Sequence, residues 1–159
     1  MKLSNQILNT LRGYTSNIVD DVIIEYQKGA HDKKKELIQF LNDVASVSDK
    51  VSVVLMPDSE NHNPLKFEVR KNDLSHGIYF DGIPSGHEFN SFILAILQVG
   101  GAPLTIDSDV QKVITDLNEV LNFETIVSLS CENCPDVVQA LNQFAILNSL
   151  GLPSGLVYS

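Results

Sequence analysis

At 159 residues, with 43% hydrophobic and 19% charged side chains, the chain has a globular composition and room for one ordinary domain or two small ones. Twenty acidic against eleven basic residues leave a formal charge of −9, which repels phosphate backbones and anionic headgroups and so excludes nucleic acid and membrane surfaces as expected partners. The opening MKLSNQILNTLRGY lacks the apolar stretch of a signal peptide, and FILAIL is far short of the ~18 apolar residues of a membrane span, so a cytoplasmic location is expected.

In chain order, Leu3, Ile7, Leu8 and Leu11 recur at helical spacing, with Gly13 as the expected stop. NIVDDVIIEY is β-branched and reads as a strand. Asp32 then caps a helix whose inner face is Leu37, Phe40, Leu41 and Val44. KVSVVLM is a second strand, and LKFEVRK and HGIYFDGI form a hairpin after the polar loop PDSENHNP. SGHEFNSFILAILQVGG gives a helix with Phe89, Phe92, Ile93 and Ile96 on one face, closed by Gly100. Residues 17–100 thus read β-α-β-β-β-α, an α/β, thioredoxin-like order in which a βαβ crossover is followed by a hairpin and a covering helix. Pro64 precedes the third strand, where such folds often carry a cis-proline. The trans bond is the favoured reading, as for most X-Pro bonds.

A connecting helix follows in DSDVQKVITDLNEVL, capped by Asp107 or Ser108. NFETIVSLS, CENC and PDVVQALNQFAILN then repeat the strand-turn-helix of residues 17–48, with Val137, Val138, Leu141, Phe144 and Ala145 inward. Both cysteines of the chain, Cys131 and Cys134, fall in that turn. At a helix start, unpaired backbone N–H groups and the positive dipole end favour thiolate, and two intervening residues allow the sulfurs to close a disulfide. Cys131 is expected as the exposed nucleophile and Cys134, one turn inside and followed by Pro135, as the buried resolving thiol. Two other readings stay open: small apolar fillers, or a zinc site completed by His87 or by the CxxC pair of a second chain. His31, His62, His76 and His87 show no ligand spacing and are expected on the surface or in loops.

GIPSGHEFNSFILAILQVGG and FETIVSLSCENCPDVVQALNQFAILN resemble the N-terminal region of the bacterial alkyl hydroperoxide reductase flavoprotein subunit, the reductase that feeds electrons to a peroxiredoxin. The likeness covers nearly all of residues 1–148 and is strongest over 82–100 and 122–148. It implies tandem thioredoxin-like repeats packed as one body: residues 1–106 without cysteines, and residues 107–159 holding the connecting helix and a second repeat with a redox dithiol. By position Cys131 and Cys134 match that dithiol, and Glu88 in GHEF matches the acid placed beside it. A carboxylate in the first turn of a helix is also stabilised by the dipole with no further role. The resemblance leads to a neutral or basic residue between the cysteines. Glu132 stands there instead, and its charge should make Cys131 less acidic.

The resemblance weakens after Asn148, where only SLGLPSGLVYS follows. The hairpin strands and closing helix of the second repeat are missing by this count, so the chain reads as a fragment or pared-down relative. The strand ETIVSL is then expected to lack neighbours and to promote homo-oligomerisation. No GxGxxG follows any strand, so FAD and NADH are expected only on a separate or missing domain. The expected function is a thiol-disulfide relay toward a peroxiredoxin, fed by a flavin-containing reductase domain. A non-catalytic interaction module is the alternative.

Overall fold

The computed structural model describes residues 2–57 and 63–148, and the backbone of 154–158. His62 and the first tail residues, 149–153, lie outside the described residues. The chain runs α1 (Asn5–Thr15), β1 (Val22–Tyr26), α2 (Lys34–Ala45), β2 (Val51–Leu55), β3 (Lys66–Lys71), β4 (Ile78–Asp81) and α3 (Glu88–Val99). It continues through α4 (Ser108–Thr115), β5 (Phe123–Val127), α5 (Cys134–Leu147) and β6 (Ser154–Tyr158). The strands form one six-stranded sheet in the order β2-β1-β3-β4-β6-β5.

Alternation along the strands decides which face is covered. Val22 and Ile24 of β1, Phe67 and Val69 of β3, and Ile78 and Phe80 of β4 are fully buried on one face, under α2 and α3. Phe40 of α2 and Phe92 of α3 meet at 5.6 Å between ring centroids, and Phe92 stands edge-on to Phe67 and Phe80 at 5.5 and 5.4 Å. Each such ring contributes about 1.5–3 kcal/mol when fully buried, so this cluster is the main anchor of the first repeat. The opposite face is polar: Glu68 pairs across the sheet with Glu25 and Tyr79, accepts the Ser75 hydroxyl, and lies near the Arg70–Glu25 contact of 3.5 Å. Burial pushes the Glu68 carboxyl up, and Ser75 and Arg70 pull it part of the way back.

Several boundaries differ from the sequence reading. α1 runs through Gly13 to Thr15, because the Ser4 hydroxyl caps its start and Leu11 and Thr15 are buried on either side of the glycine. Lys33, not Asp32, precedes α2, and no side chain caps it. α4 stops at Thr115, six residues before the end of the apolar pattern. None of its residues is buried, so little packing opposes its fraying. The peptide bond before Pro64 is trans.

The largest correction concerns the tail. Ser154–Tyr158 forms a strand that pairs in parallel with β5 on one side and with β4 on the other. β5-α5-β6 is therefore a parallel βαβ unit like β1-α2-β2. The strand ETIVSL has a neighbour, contrary to expectation, and the tail joins the sheets of the two repeats into one. In the first unit β1 is also paired antiparallel by β3. The corresponding outer edge of β5 has no further strand among the described residues.

Candidate functional site

After β5 the chain turns through Ser128–Asn133. The Cys131 amide donates to the Ser128 carbonyl at 2.9 Å, and the Ser128 and Ser130 hydroxyls lie 3.0 Å apart. This turn presents Cys131 and Cys134, joined as a disulfide with Cα atoms 5.5 Å apart. α5 begins at Cys134 itself. Pro135 is tolerated there because its missing N–H would have had no helical partner, and Asp136 complements the dipole in the first turn.

Both cysteines are half-buried, and Cys134 packs against the core. The expected contrast between an exposed Cys131 and a buried Cys134 is not seen in this disulfide-bonded form. Residues 132–133 form a bend, so Cys131 precedes the helix and Cys134 occupies its first position rather than a place one turn inside. Glu132 is exposed between them.

Glu88 stands in the first turn of α3 with 0% of its surface exposed. Among the described residues neither carboxyl oxygen has a hydrogen-bond partner. Burial holds its pKa above the ordinary carboxylate value, and the Ser91 hydroxyl, then neighbouring His87, offset part of that rise. The dipole alone would favour the charged form, and desolvation opposes it.

Three contacts join the start of α3 to the dithiol segment. The His87 amide donates to the Leu129 carbonyl at 3.3 Å, two residues before Cys131. Gly86 has φ +59°, and a Cβ there would lie 2.6 Å from the Leu129 carbonyl oxygen, so glycine alone permits this approach. The Gln139 side-chain amide, on α5, donates to Ser91 Oγ on α3 at 3.3 Å. Cys131, Cys134 and Glu88 thus fall on two adjoining helix starts.

The sequence reading missed Gly86, Ser91 and Gln139. A signal existed: Ser91 and Gln98 are polar residues seven apart in the otherwise apolar SFILAILQ, hence on one helix face, and both are buried. The face of α5 was also misread. Val138 and Ala145 are buried as expected, but Leu141 and Phe144 are half-buried and Val137 is 52% exposed. Asn142 and Gln143 are buried in their place. Gln143 accepts the amides of Thr105 and Ile106 at 2.6 and 3.2 Å and donates to Thr105 Oγ1 at 3.1 Å, tying the inter-repeat linker to α5.

Among the described residues no group of three or more His, Cys, Asp or Glu side chains is placed to hold a metal ion. His31 and His87 are exposed, while His76 is half-buried, with its pKa lowered by that burial. Among the described residues no helix is long and apolar enough to cross a membrane.

A CxxC disulfide at the start of a helix, on a β-α-β unit docked against a second such unit with its hairpin and covering helix, defines a thioredoxin-like protein. Similarity to known proteins narrows the class. The chain is 38% identical over 146 residues to the F subunit of alkyl hydroperoxide reductase in Pseudomonas aeruginosa, covering 92% of this chain. It is 43% identical over 129 residues to the protein of that name in Staphylococcus epidermidis, covering 80%. A Bacillus subtilis relative, 37% identical over 148 residues or 93% of this chain, is called NADH dehydrogenase. The chain is a homologue of the F subunit of alkyl hydroperoxide reductase, and spans 25–28% of the length of these relatives.

Among solved structures, the N-terminal domain of the alkyl hydroperoxide reductase AhpF of Enterococcus faecalis superposes with a TM-score of 0.86 at 28% identity. That match covers 98% of this chain and 79% of that one. A protein disulfide oxidoreductase of Aeropyrum pernix shares the fold, with a TM-score of 0.83 at 17% identity over 99% of this chain and 75% of that one. No family model matches the chain.

A flavin or nicotinamide needs a glycine-rich turn that brings backbone N–H groups to a pyrophosphate. The β1–α2 turn carries only Gly29, where a Cβ would already meet Pro64 at 2.9 Å, and the β5–α5 turn carries no glycine. Neither turn carries the glycine pattern of a dinucleotide-binding loop.

Proposed function

We propose that the chain is a thiol-disulfide relay, working through Cys131 and Cys134 in hydroperoxide detoxification. Its electron acceptor is a peroxiredoxin-type disulfide, and its donor is a flavin-containing reductase domain using NADH, outside the residues described. The observation that carries the reading is the Cys131–Cys134 disulfide at the start of α5, on a turn hydrogen-bonded to the start of the helix that carries the buried Glu88, in a chain homologous to the F subunit of alkyl hydroperoxide reductase.

In the forward step the Cys131 thiolate attacks one sulfur of the partner's disulfide. That S–S bond breaks, one partner thiolate leaves and a mixed disulfide forms. Cys134 then attacks Cys131 Sγ, which closes the intramolecular disulfide and releases the second partner thiolate. Two electrons pass to the partner, and the two protons of the dithiol are matched by the two taken up by the released thiolates. Glu88, whose carboxyl burial shifts upward, is the acid that exchanges one of these protons.

A second partner is another copy of the chain. Among the described residues β5 is the last strand of the sheet, Ile126 on it is 68% exposed, and Val137 of the neighbouring helix is exposed as well. An edge of this kind is a template for antiparallel pairing.

The test of the relay is insulin reduction driven by dithiothreitol, comparing the chain with its Cys131→Ser and Cys134→Ser variants. Catalysis above the dithiothreitol background that either substitution abolishes supports the relay. A background rate for the unsubstituted chain would reject it in favour of an interaction module, and tightly bound zinc by metal analysis would favour the shared thiolate site.

A further inference from the structure

Glu88 is fully buried, so something must orient its carboxyl and connect it to the helix whose cysteines change state. Ser91 is equally buried and three residues further along α3, hence on the same face. A buried helical serine or threonine usually gives its hydroxyl hydrogen to the carbonyl four residues back, as Thr15 does to Leu11 at 3.0 Å. Ser91 does not. Its oxygen instead accepts the Gln139 amide of α5 at 3.3 Å. A hydroxyl has one hydrogen and two acceptor lone pairs, so accepting from Gln139 leaves the Ser91 hydrogen free, and the Glu88 carboxyl oxygens, three residues back on the same face, have no hydrogen-bond partner among the described residues.

Gln139 is itself placed by α5. Its backbone carbonyl accepts the side chain of Gln143, which is fixed in turn by Thr105 and Ile106. It stands five residues after Cys134 on the same helix. We propose that Gln139 and Ser91 are a positioning pair for Glu88: the amide on the dithiol-bearing helix turns the Ser91 hydroxyl toward the Glu88 carboxyl, so the acid responds to the position of α5. This deepens the relay reading and rests on it for its catalytic meaning, although the coupling itself is a property of the fold.

The titratable neighbours of Glu88 are few. His87 adjoins it on α3; the turn and helix start linked to α3 carry the exposed Glu132 and Asp136 and the Cys131–Cys134 disulfide, which does not titrate; β3 and α2 meet α3 through Phe67 and Phe40. The Ser91 hydroxyl favours the ionised carboxyl, so losing it moves the titration of Glu88 to higher pH.

The experiment follows the Glu88 carboxyl carbon by NMR against pH in the oxidised chain, alongside the pH profile of insulin reduction. Ser91→Ala should move the Glu88 midpoint upward. Gln139→Leu should move it the same way by less, because the serine is then free to turn back to the His87 carbonyl. Ser91→Thr, which keeps the hydroxyl, should restore the midpoint. The pH profile of exchange should move with the carboxyl. A Glu88 midpoint unchanged in either Ser91→Ala or Gln139→Leu, with native spectra elsewhere, would overturn the proposal. If the unsubstituted chain shows no exchange at any pH, the relay reading fails, while the carboxyl titration still decides the positioning pair.

Discussion

Glu88 is the residue on which stability and proton chemistry meet. A carboxyl whose folded pKa is raised is neutral in both states below its unfolded value, near 4.5, and costs nothing there. As pH rises through the folded value the native state must either keep a proton that the unfolded state has released or bury a charge. Stability therefore falls with rising pH. Glu88→Gln removes that penalty. Its melting temperature should exceed that of the unsubstituted protein at pH 7, and the difference should shrink toward zero near pH 4; a constant difference across that range would show that packing, not titration, sets the effect. At the cysteines, the bend that precedes α5 separates Cys131 from the core on which Cys134 packs. In the reduced, folded protein Cys131 should therefore be alkylated before Cys134, as peptide mass mapping over a time course would show. Equal rates would remove the assignment of nucleophile and resolving thiol.

At the scale of elements, the joint between α3 and the dithiol turn depends on Gly86. Alanine there combines a positive φ with a contact of 2.6 Å to a backbone oxygen that cannot swing away as a side chain could. Gly86→Ala should cost about 1–3 kcal/mol in denaturant unfolding and displace the turn that carries Cys131. A substitution without effect would mean that the two repeats are not held together at this point. The elements also show what sequence alone conveys. Helices α2, α3 and α5 and strands β1 to β5 were legible because each buries a periodic apolar face against the sheet. β6 was not, because LPSGLVYS has too short an apolar run to declare a strand, and its pairing is imposed by β4 and β5 on either side. The inner face of α5 was misread for a related reason. It packs against a partner helix whose buried residues include Glu88, Ser91 and Gln98, so Asn142 and Gln143 turn inward while Val137 turns out. The cysteines were found from spacing and resemblance, whereas Ser91 and Gln139 become visible only when α3 and α5 are brought together.

At the scale of the whole molecule, the tail changes the account of how the two repeats cohere. With β6 between β4 and β5 the sheet is continuous, and among the described residues no strand pairs with the outer edge of β5. Self-association through that edge should appear as a mass that rises with concentration in multi-angle light scattering. Thr125→Pro should reduce it, because proline removes an N–H and is poorly suited to strand pairing. A concentration-independent monomer would contradict this.

The central claim is electron transfer through one disulfide, and it is tested most directly by trapping. The reduced Cys134→Ser chain, mixed with a disulfide-bonded peroxiredoxin, should accumulate a mixed disulfide through Cys131 that intact-mass measurement resolves. The unsubstituted reduced chain should instead release two peroxiredoxin thiols for each Cys131–Cys134 disulfide formed. No covalent adduct in the variant, together with an unchanged peroxiredoxin disulfide in the presence of the reduced chain, would contradict the relay.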